Sequence, residues 1–248
     1  SGSMSEEAQW TQQSMNAMVT TIVNSGIDAH VIMISDTAIC VPASLGSGNC
    51  PDDESLPNYR HVNQTVNSTD ALEKILSTYD QYKDSLRPGA LKTIVVVSDD
   101  DSNLSAGAFQ SQLLALDPTF KDFKFDAIVS FEDPLSCASA CVGQACQNCG
   151  KCCPSCKPLS AAEGTVYKNL VSMTGGVQGD LCAQDFAPVF QDMATAVVNP
   201  ILRHSQERDH LQRQSSNWCL QSQNLNPGDV LTFSPQLNAF VPDWNKMF

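Results

Sequence analysis

The order of apolar and polar residues divides most of the chain into short apolar runs and longer amphipathic segments. Apolar residues at three- and four-residue spacing predict helices over 6–25, 104–116, 161–174 and 184–203, and another that begins at Ser68 and ends before Arg87. Apolar runs predict buried strands over 29–34, 94–97 and 123–131, and short edge strands over 59–62 and 176–182. This alternation predicts an α/β fold, in which a doubly wound, mostly parallel sheet is flanked by helices.

The strand over 94–97 is followed by Ser98 and three consecutive aspartates, Asp99, Asp100 and Asp101, just before a predicted helix. In open α/β sheets, ligands bind at the carboxyl ends of the strands, and carboxylate and hydroxyl oxygens suit a hard cation such as Mg²⁺. Alternatively, Asp101 and Ser102 cap the following helix by accepting hydrogen bonds from its backbone N–H groups. The sequence leaves both interpretations open.

Charge narrows the range of partners. The 248 residues include 14 Lys and Arg against 27 Asp and Glu, a net charge of −13, which argues against binding to nucleic acid or to an anionic membrane surface. No apolar run approaches the roughly 20 residues that a transmembrane helix needs. A helix begins almost directly after Ser1-Gly2-Ser3, with no signal segment ahead of it. We therefore expect either that the natural start lies upstream or that these three residues are an expression scar.

Eleven cysteines indicate an oxidising, extracytoplasmic environment. Cys40 and Cys50 bracket a loop, where a disulfide would stabilise the fold by roughly 2–4 kcal/mol. Seven further cysteines fall within a predicted insertion over 134–158, and they are Cys137, Cys141, Cys146, Cys149, Cys152, Cys153 and Cys156. We predict that these residues and Cys182 form disulfides, although the C-x-x-C spacings also allow an all-thiolate zinc or iron–sulfur site.

The composition changes after Arg203. The segment 1–203 contains the alternating strands and helices, whereas 204–223 is polar and has few apolar residues. We therefore predict one α/β domain over 1–203 and a C-terminal extension over 204–248. Within that extension, the apolar run 230–233 predicts one further strand.

Three stretches resemble motifs of the von Willebrand factor A family. The sequence Ser1–Ser5 resembles the end of the family's Asp-x-Ser-x-Ser motif, and Val95–Asp99 resembles its later strand, which ends in a metal-site aspartate. Ser68–Leu72 lies where the family has its metal-site threonine, and the order of elements agrees over 1–203. The Cys-rich insertion is most similar to secreted or surface-anchored bacterial members, which implies an extracellular or cell-surface location.

The resemblance implies a metal-ion-dependent adhesion site. Its ligands would be Ser1, Ser3, Ser68 or Thr69, and Asp99, while Asp100 and Asp101 would support the ligands or cap helices. Such a site holds Mg²⁺, or Ca²⁺ or Mn²⁺, partly through water. It leaves one position open for an acidic side chain of a protein partner.

The chain departs from the family pattern at its beginning, because the leading Asp of the motif and the family's first strand would both precede Ser1. We therefore expect weak or absent Mg²⁺ binding. A missing central strand would leave two rows of unpaired backbone groups. We expect that slot to lie between the strands that contain Ile32 and Val96. It would be filled by 230–233 or by self-association with a second copy, unless the sheet order differs.

These features favour a protein-binding module over an enzyme. The chain contains no Gly-x-Ser-x-Gly, His-Glu-x-x-His, Walker or Gly-x-Gly-x-x-Gly motif, and no two of its four histidines have a useful ligand spacing. Two alternatives stay open. One is a metal-assisted hydrolase that uses the Asp99 cluster, and the other is a metal–thiolate protein that uses Cys137–Cys156.

Overall fold

The computed structural model describes residues 4–37, 39–133 and 159–199. Its helices are α1 (Ser5–Asn24), α2 (Ala71–Ser77), α3 (Tyr79–Tyr82), α4 (Ala106–Leu116), α5 (Thr165–Thr174) and α6 (187–199). Its strands are β1 (Val31–Ser35), β2 (Tyr59–Asn63), β3 (Thr93–Ser98), β4 (Lys124–Val129) and β5 (Gln178–Asp180). Single 3₁₀ turns lie at Lys83–Ser85, Pro118–Phe120 and Leu181–Ala183. The insertion over 134–158, the extension over 204–248 and its strand over 230–233 lie outside the described residues.

The described strands form two parallel sheets. β1 pairs with β2, and β3, β4 and β5 pair in that order. The expected α/β class with parallel strands and flanking helices is therefore confirmed. Among the described residues, β2 has a neighbouring strand on one side only, as predicted for an edge strand over 59–62. Within the described residues, the strand that contains Ile32 does not pair with the strand that contains Val96. Direct pairing of those two strands would have contradicted the missing-strand hypothesis.

Contacts at both ends show that β1 and β3 run in the same direction. Near their amino ends, Arg87 forms an ion pair with Asp28 and Nδ1 of His30 lies 3.0 Å from the carbonyl oxygen of Ser85. At the other end, the loop after β2 contacts the last residue of β3, where Oγ of Ser98 donates to the carbonyl oxygen of Ser68 at 3.4 Å. The carboxyl ends of both sheets therefore face the same side.

Two apolar clusters cover opposite faces of the three-stranded sheet, because successive side chains of a strand point to opposite faces. The first cluster joins β3 and β4 to α2, α4 and α5 and includes Leu72, Val96, Phe109, Leu113, Phe125, Tyr167 and Leu170. The second joins β4 to α1 and α6 and includes Met15, Val19, Tyr59, Ile128, Phe186, Phe190 and Met193. Val31, Met33 and Val97 also pack against this second cluster. Both sheets therefore contribute to the second cluster, and the three-stranded sheet lies between two layers of helices.

Glycines end two of the helices. Gly26 has a φ of +79° and donates its N–H to the carbonyl oxygen of Val23 at 2.9 Å, which closes α1. Gly175 has a φ of +65° at the end of α5. Gly176 is needed for a different reason, because a Cβ atom there would lie 2.0 Å from the carbonyl oxygen of Phe125. The chain thus turns from α5 into β5 directly against β4.

Two predictions of burial are wrong. The run 94–97 was expected to be buried on both faces, but Val95 is 37% exposed. Val97 packs against the second cluster, whereas Val95 belongs to neither cluster, because β3 is an edge strand of its sheet within the described residues. The apolar spacing over 6–25 places Val23 on the same helix face as Met15 and Ile22, but Val23 is 51% exposed whereas Met15 and Ile22 are buried.

The predicted disulfide between Cys40 and Cys50 is present, with a Cα–Cα distance of 5.7 Å. Cys182 is also disulfide-bonded and is 6% exposed. The seven cysteines of the insertion lie outside the described residues, so their pairing stays a prediction. Among the described helices, none has the length and apolarity needed to cross a membrane.

Candidate functional site

Two of the predicted ligand loops meet at the carboxyl ends of the strands. Nδ2 of Asn103 donates to Oγ1 of Thr69 at 2.7 Å, and the N–H of Asn103 donates to the carbonyl oxygen of Thr69 at 3.0 Å. Ser98, at the end of β3, donates to the carbonyl oxygen of Ser68. The structure therefore brings the Ser68–Thr69 loop against the loop that begins with Asp99, although these residues are about thirty positions apart. Ser1 and Ser3 lie outside the described residues.

Asp99 is the most buried of the three consecutive aspartates, with 4% of its surface exposed. Its carbonyl oxygen accepts hydrogen bonds from the N–H groups of Ala161 and Ala162 at 2.6 and 3.2 Å. These bonds tie the end of β3 to the segment that leads into α5. The position of the Asp99 backbone is therefore fixed against that segment.

The other two aspartates bind backbone groups. Oδ1 of Asp100 accepts the N–H of Asp101 at 2.9 Å. Oδ1 of Asp101 accepts the N–H of Val166 at 2.9 Å, so Asp101 caps α5 and not the helix that follows it in the chain. The cap of α4 is Ser105, whose Oγ accepts the N–H of Ala108 at 3.4 Å. The alternative in which Asp101 and Ser102 cap the next helix is therefore wrong.

The loop before α2 carries one more carboxylate. The predicted helix that begins at Ser68 would have Asp70 in its first turn, but α2 begins at Ala71. The Asp70 carboxylate accepts hydrogen bonds from the backbone and side-chain N–H groups of Asn67 at 2.7 and 2.8 Å, and it pairs with Lys74 at 3.4 Å. Burial raises the pKa of Asp70, but these bonds and Lys74 lower it further than burial raises it. Asp70 therefore keeps its negative charge beside Thr69.

The donor types at this edge suit a hard cation. They are hydroxyl and carboxylate oxygens, which Mg²⁺ and Ca²⁺ prefer over nitrogen and sulfur. Within the described ranges, no three His, Cys, Asp or Glu side chains lie close enough together to hold a metal. Any cation here would depend on Asp99 and on uncharged hydroxyls, an arrangement that gives low affinity because few negative charges are present.

Asn103 was missed as a functional candidate. It is the residue that joins the threonine loop to the aspartate loop, and its amide donates to the hydroxyl oxygen of Thr69. The hydroxyl keeps a free lone pair after accepting that bond, because a hydroxyl oxygen can accept two. The sequence feature that could have indicated Asn103 is its position, because it is an amide residue four places after Asp99, which follows a buried strand.

A second polar cluster lies on β1 and β2. Oγ of Ser35 is 2.9 Å from Nε2 of His61, and Nδ1 of His61 is 2.6 Å from Oδ1 of Asp53. Oδ2 of Asp53 accepts the hydroxyl of Tyr59 at 3.0 Å and the N–H of Val41 at 2.5 Å. The side chains of His61 and Asp53 are 6% and 0% exposed. This chain of contacts has the Ser–His–Asp order of a nucleophilic triad.

Electrostatics define the protonation of this cluster. Burial raises the pKa of Asp53, but hydrogen bonds from Val41, His61 and Tyr59 lower it by more, so its net pKa is below the ordinary value. An ionised Asp53 can only accept, so the proton between the two groups belongs to Nδ1 of His61. With Nδ1 as the donor to Asp53, Nε2 is the ring nitrogen that faces the hydroxyl of Ser35.

Comparison with known proteins does not identify the chain. No family model, no curated protein and no solved structure matches it.

Proposed function

We propose that this chain is a protein-binding module of the von Willebrand factor A type, with a weak divalent-cation site at the carboxyl ends of its strands. The observation that carries the proposal is the contact between the Thr69 loop and the Asp99 loop through Asn103. Ser68 or Thr69 and Asp99 would hold the cation together with Ser1 and Ser3. When bound, Mg²⁺, Ca²⁺ or Mn²⁺ would offer a coordination position to an acidic side chain of a protein partner.

The contacts of the acidic residues favour binding over metal-assisted hydrolysis by the Asp99 cluster. A hydrolase of that kind needs a carboxylate that can act as a base on water. Asp100 and Asp101 instead accept the backbone N–H groups of Asp101 and Val166. Hydrogen bonds to the ionised form weaken a carboxylate as a base, because they stabilise the charge that proton uptake would remove.

The two sheets support the same family. In our proposal, β1–β2 and β3–β4–β5 are halves of one doubly wound sheet, and one additional strand completes it between β1 and β3. Two sets of contacts hold the halves together. Val31, Met33 and Val97 pack against the same apolar cluster, and the Arg87–Asp28 ion pair and the Ser98–Ser68 hydrogen bond join the halves at the two ends of β1 and β3. The Cys40–Cys50 disulfide supports a location in an oxidising compartment, and we propose an extracellular or cell-surface setting.

Binding of Mn²⁺, followed by electron paramagnetic resonance of the free ion, tests the cation site. We expect saturable binding with a dissociation constant on the order of 1 mM, the range of weak extracellular cation sites. Asp99→Asn should abolish it. The matched control is Asp122→Asn, which removes the same charge from a side chain that is 81% exposed before β4. Binding that is unchanged in Asp99→Asn, or that is equally lost in Asp122→Asn, would contradict the proposal.

A carboxylate probe tests the open coordination position. With Mn²⁺ present, the methyl proton signal of acetate should broaden more in the presence of the wild-type chain than with Mn²⁺ alone. The extra broadening should disappear in Asp99→Asn. If Mn²⁺ binds but the acetate signal is unaffected, the chain has a metal site without the open coordination position that the proposal requires.

A further inference from the structure

The Ser35–His61–Asp53 cluster has every hydrogen bond that an activated serine requires. The distances from Ser35 Oγ to His61 Nε2 and from His61 Nδ1 to Asp53 Oδ1 are 2.9 and 2.6 Å. Both lie within the 2.6–3.2 Å range expected between a nucleophile, its base and the group that orients the base. Asp53 is itself held by Tyr59 and Val41. The imidazole therefore has one tautomer and one orientation.

The position of the serine also fits catalysis. Ser35 is the last residue of β1, a parallel strand, and the carboxyl ends of parallel strands are where α/β folds place reacting groups. Its side chain lies on the same strand face as that of Met33, which pairs with His61 in the β1–β2 register. The sheet itself therefore sets the distance between serine and histidine, because both residues belong to regular strands.

We propose that Ser35 is the nucleophile of an acyl-transfer site that accepts short acyl esters. Oγ of Ser35 attacks the ester carbonyl and forms a C–O bond, while its proton passes to Nε2 of His61. The tetrahedral intermediate collapses when the bond to the leaving alkoxide breaks, and His61 returns the proton to that oxygen. Water then repeats the sequence on the acyl-serine, with His61 as base, and releases the carboxylic acid and the free serine.

Burial restricts the substrate. Ser35 is 5% exposed, so the acyl group must be short, such as acetyl, and a bulky peptide carbonyl cannot reach Oγ. The acyl-transfer site uses none of the residues of the cation site. Asp99→Asn therefore leaves the esterase reaction unchanged, and His61→Gln leaves Mn²⁺ binding unchanged, which separates failure of one proposal from failure of the other.

The experiment treats the full chain with two small acylating or sulfonylating probes, methanesulfonyl fluoride and 4-nitrophenyl acetate. We expect one methanesulfonyl adduct on Ser35 by intact mass and peptide mapping, and a burst of nitrophenol that equals the protein concentration. His61→Gln should slow both reactions by about a hundredfold, the usual contribution of a general base. Ser77→Ala and His30→Gln are the matched controls and should react like the wild type, since Ser77 is exposed and His30 contacts Ser85.

A second measurement keeps the proposal testable if Ser35→Ala or His61→Gln lowers stability. In Ser35→Cys, alkylation by iodoacetamide at pH 7 should be about tenfold faster than in the double variant Ser35→Cys, His61→Gln, with both chains folded by circular dichroism. A folded wild-type chain that acquires no adduct on Ser35 overturns the proposal. Equal alkylation rates in the two cysteine-containing chains overturn it as well.

Discussion

Asp126 is a buried carboxyl in the middle of β4. It is 2% exposed, and its Oδ1 accepts the N–H of Val177 at 2.7 Å. Burial raises the pKa of Asp126 to about 6, and the Val177 bond and Lys124 offset only part of that effect. The Asp126 carboxyl therefore links β4 to the turn after α5. At neutral pH it carries a negative charge that is poorly solvated because the side chain is buried.

The raised pKa predicts the pH dependence of stability. The folded chain binds the proton of Asp126 more tightly than the unfolded chain, whose carboxyl has a pKa near 3.8. Its contribution to the free energy of unfolding is therefore fully present below pH 4 and is lost as the pH rises to about 6. At 1.36 kcal/mol per pKa unit, the loss is about 3 kcal/mol. Urea unfolding at a series of pH values should show this slope in the wild type and not in Asp126→Asn. An equal slope in both chains would contradict the assignment, and Asp122→Asn serves as control.

For Asp53 we expect stability to change with pH in the opposite direction. Although burial raises its pKa, the hydrogen bonds from Val41, His61 and Tyr59 hold the net value below normal. Its stabilising contribution is present above the unfolded carboxyl pKa of about 3.8 and is lost as the pH falls through the lower folded value. Asp53→Asn should reduce the free energy of unfolding at pH 7 by about 3 kcal/mol, because buried partners lose a charged acceptor. The difference in the free energy of unfolding between Asp53→Asn and the wild type should decrease at low pH. A difference that stays constant down to pH 2 would show that the charge of Asp53 does not cause the destabilisation.

For single residues, the sequence predicts local patterns but not contacts between residues that are distant along the chain. Asp99 could be placed at the end of a buried strand, because a run of apolar residues followed by acids is a local pattern. The His61 network could not be predicted, because it joins residues 26 and 8 positions apart and depends on the register of β1 and β2. A search for histidine pairs and sequence motifs does not detect a histidine that is oriented by one partner and faces another.

At the scale of elements, the helix order was predictable and the capping was not. The helix predicted over 104–116 begins at Ala106 because Ser105 caps it. The helix predicted over 161–174 begins at Thr165, and the N–H of Val166 at its start is bound by Asp101 from a distant loop. Periodicity locates a helix, whereas its first residue depends on the oxygen that reaches its N–H groups.

The capping assignment can be tested by hydrogen exchange. Asp101→Ala should speed amide exchange at the start of α5 and leave α4 unchanged, at a cost of about 1 kcal/mol. Ser105→Ala should produce the reverse pattern with a similar cost. If Asp101 capped α4 after all, both variants would act on the same helix.

The disulfide is an element-scale constraint on the loop between β1 and β2. Cys40 and Cys50 are ten residues apart, and closing a loop of that length in the unfolded chain is worth about 3 kcal/mol. The double variant Cys40→Ser, Cys50→Ser should lose that amount in urea unfolding. The single variant Cys182→Ser, compared under the same conditions, separates this loop from the other disulfide. A double variant as stable as the wild type would show that the loop is ordered without its crosslink.

For the domain as a whole, local sequence patterns predict the class of fold. They do not predict the division into two sheets, because that division depends on what lies between β1 and β3. Four consecutive β-branched apolar residues at 94–97 predict a central strand. The structure instead leaves one edge of β3 without a partner among the described residues and exposes Val95. A sequence pattern reports which strands are apolar, and it does not report which neighbour each strand has.

The edge of β3 that has no partner among the described residues carries the exposed side chain of Val95, and these two features predict association with a second copy. Backbone N–H and C=O groups along such an edge pair with a strand from another chain unless a charge prevents it. We expect the mass measured by sedimentation to rise with protein concentration, and we expect Val95→Lys to abolish that rise. Met173→Lys is the matched control, because Met173 is 52% exposed on α5, away from the strand edges. A wild type that stays monomeric at all concentrations, or equal association of Val95→Lys and wild type, would show that this edge does not recruit a second copy.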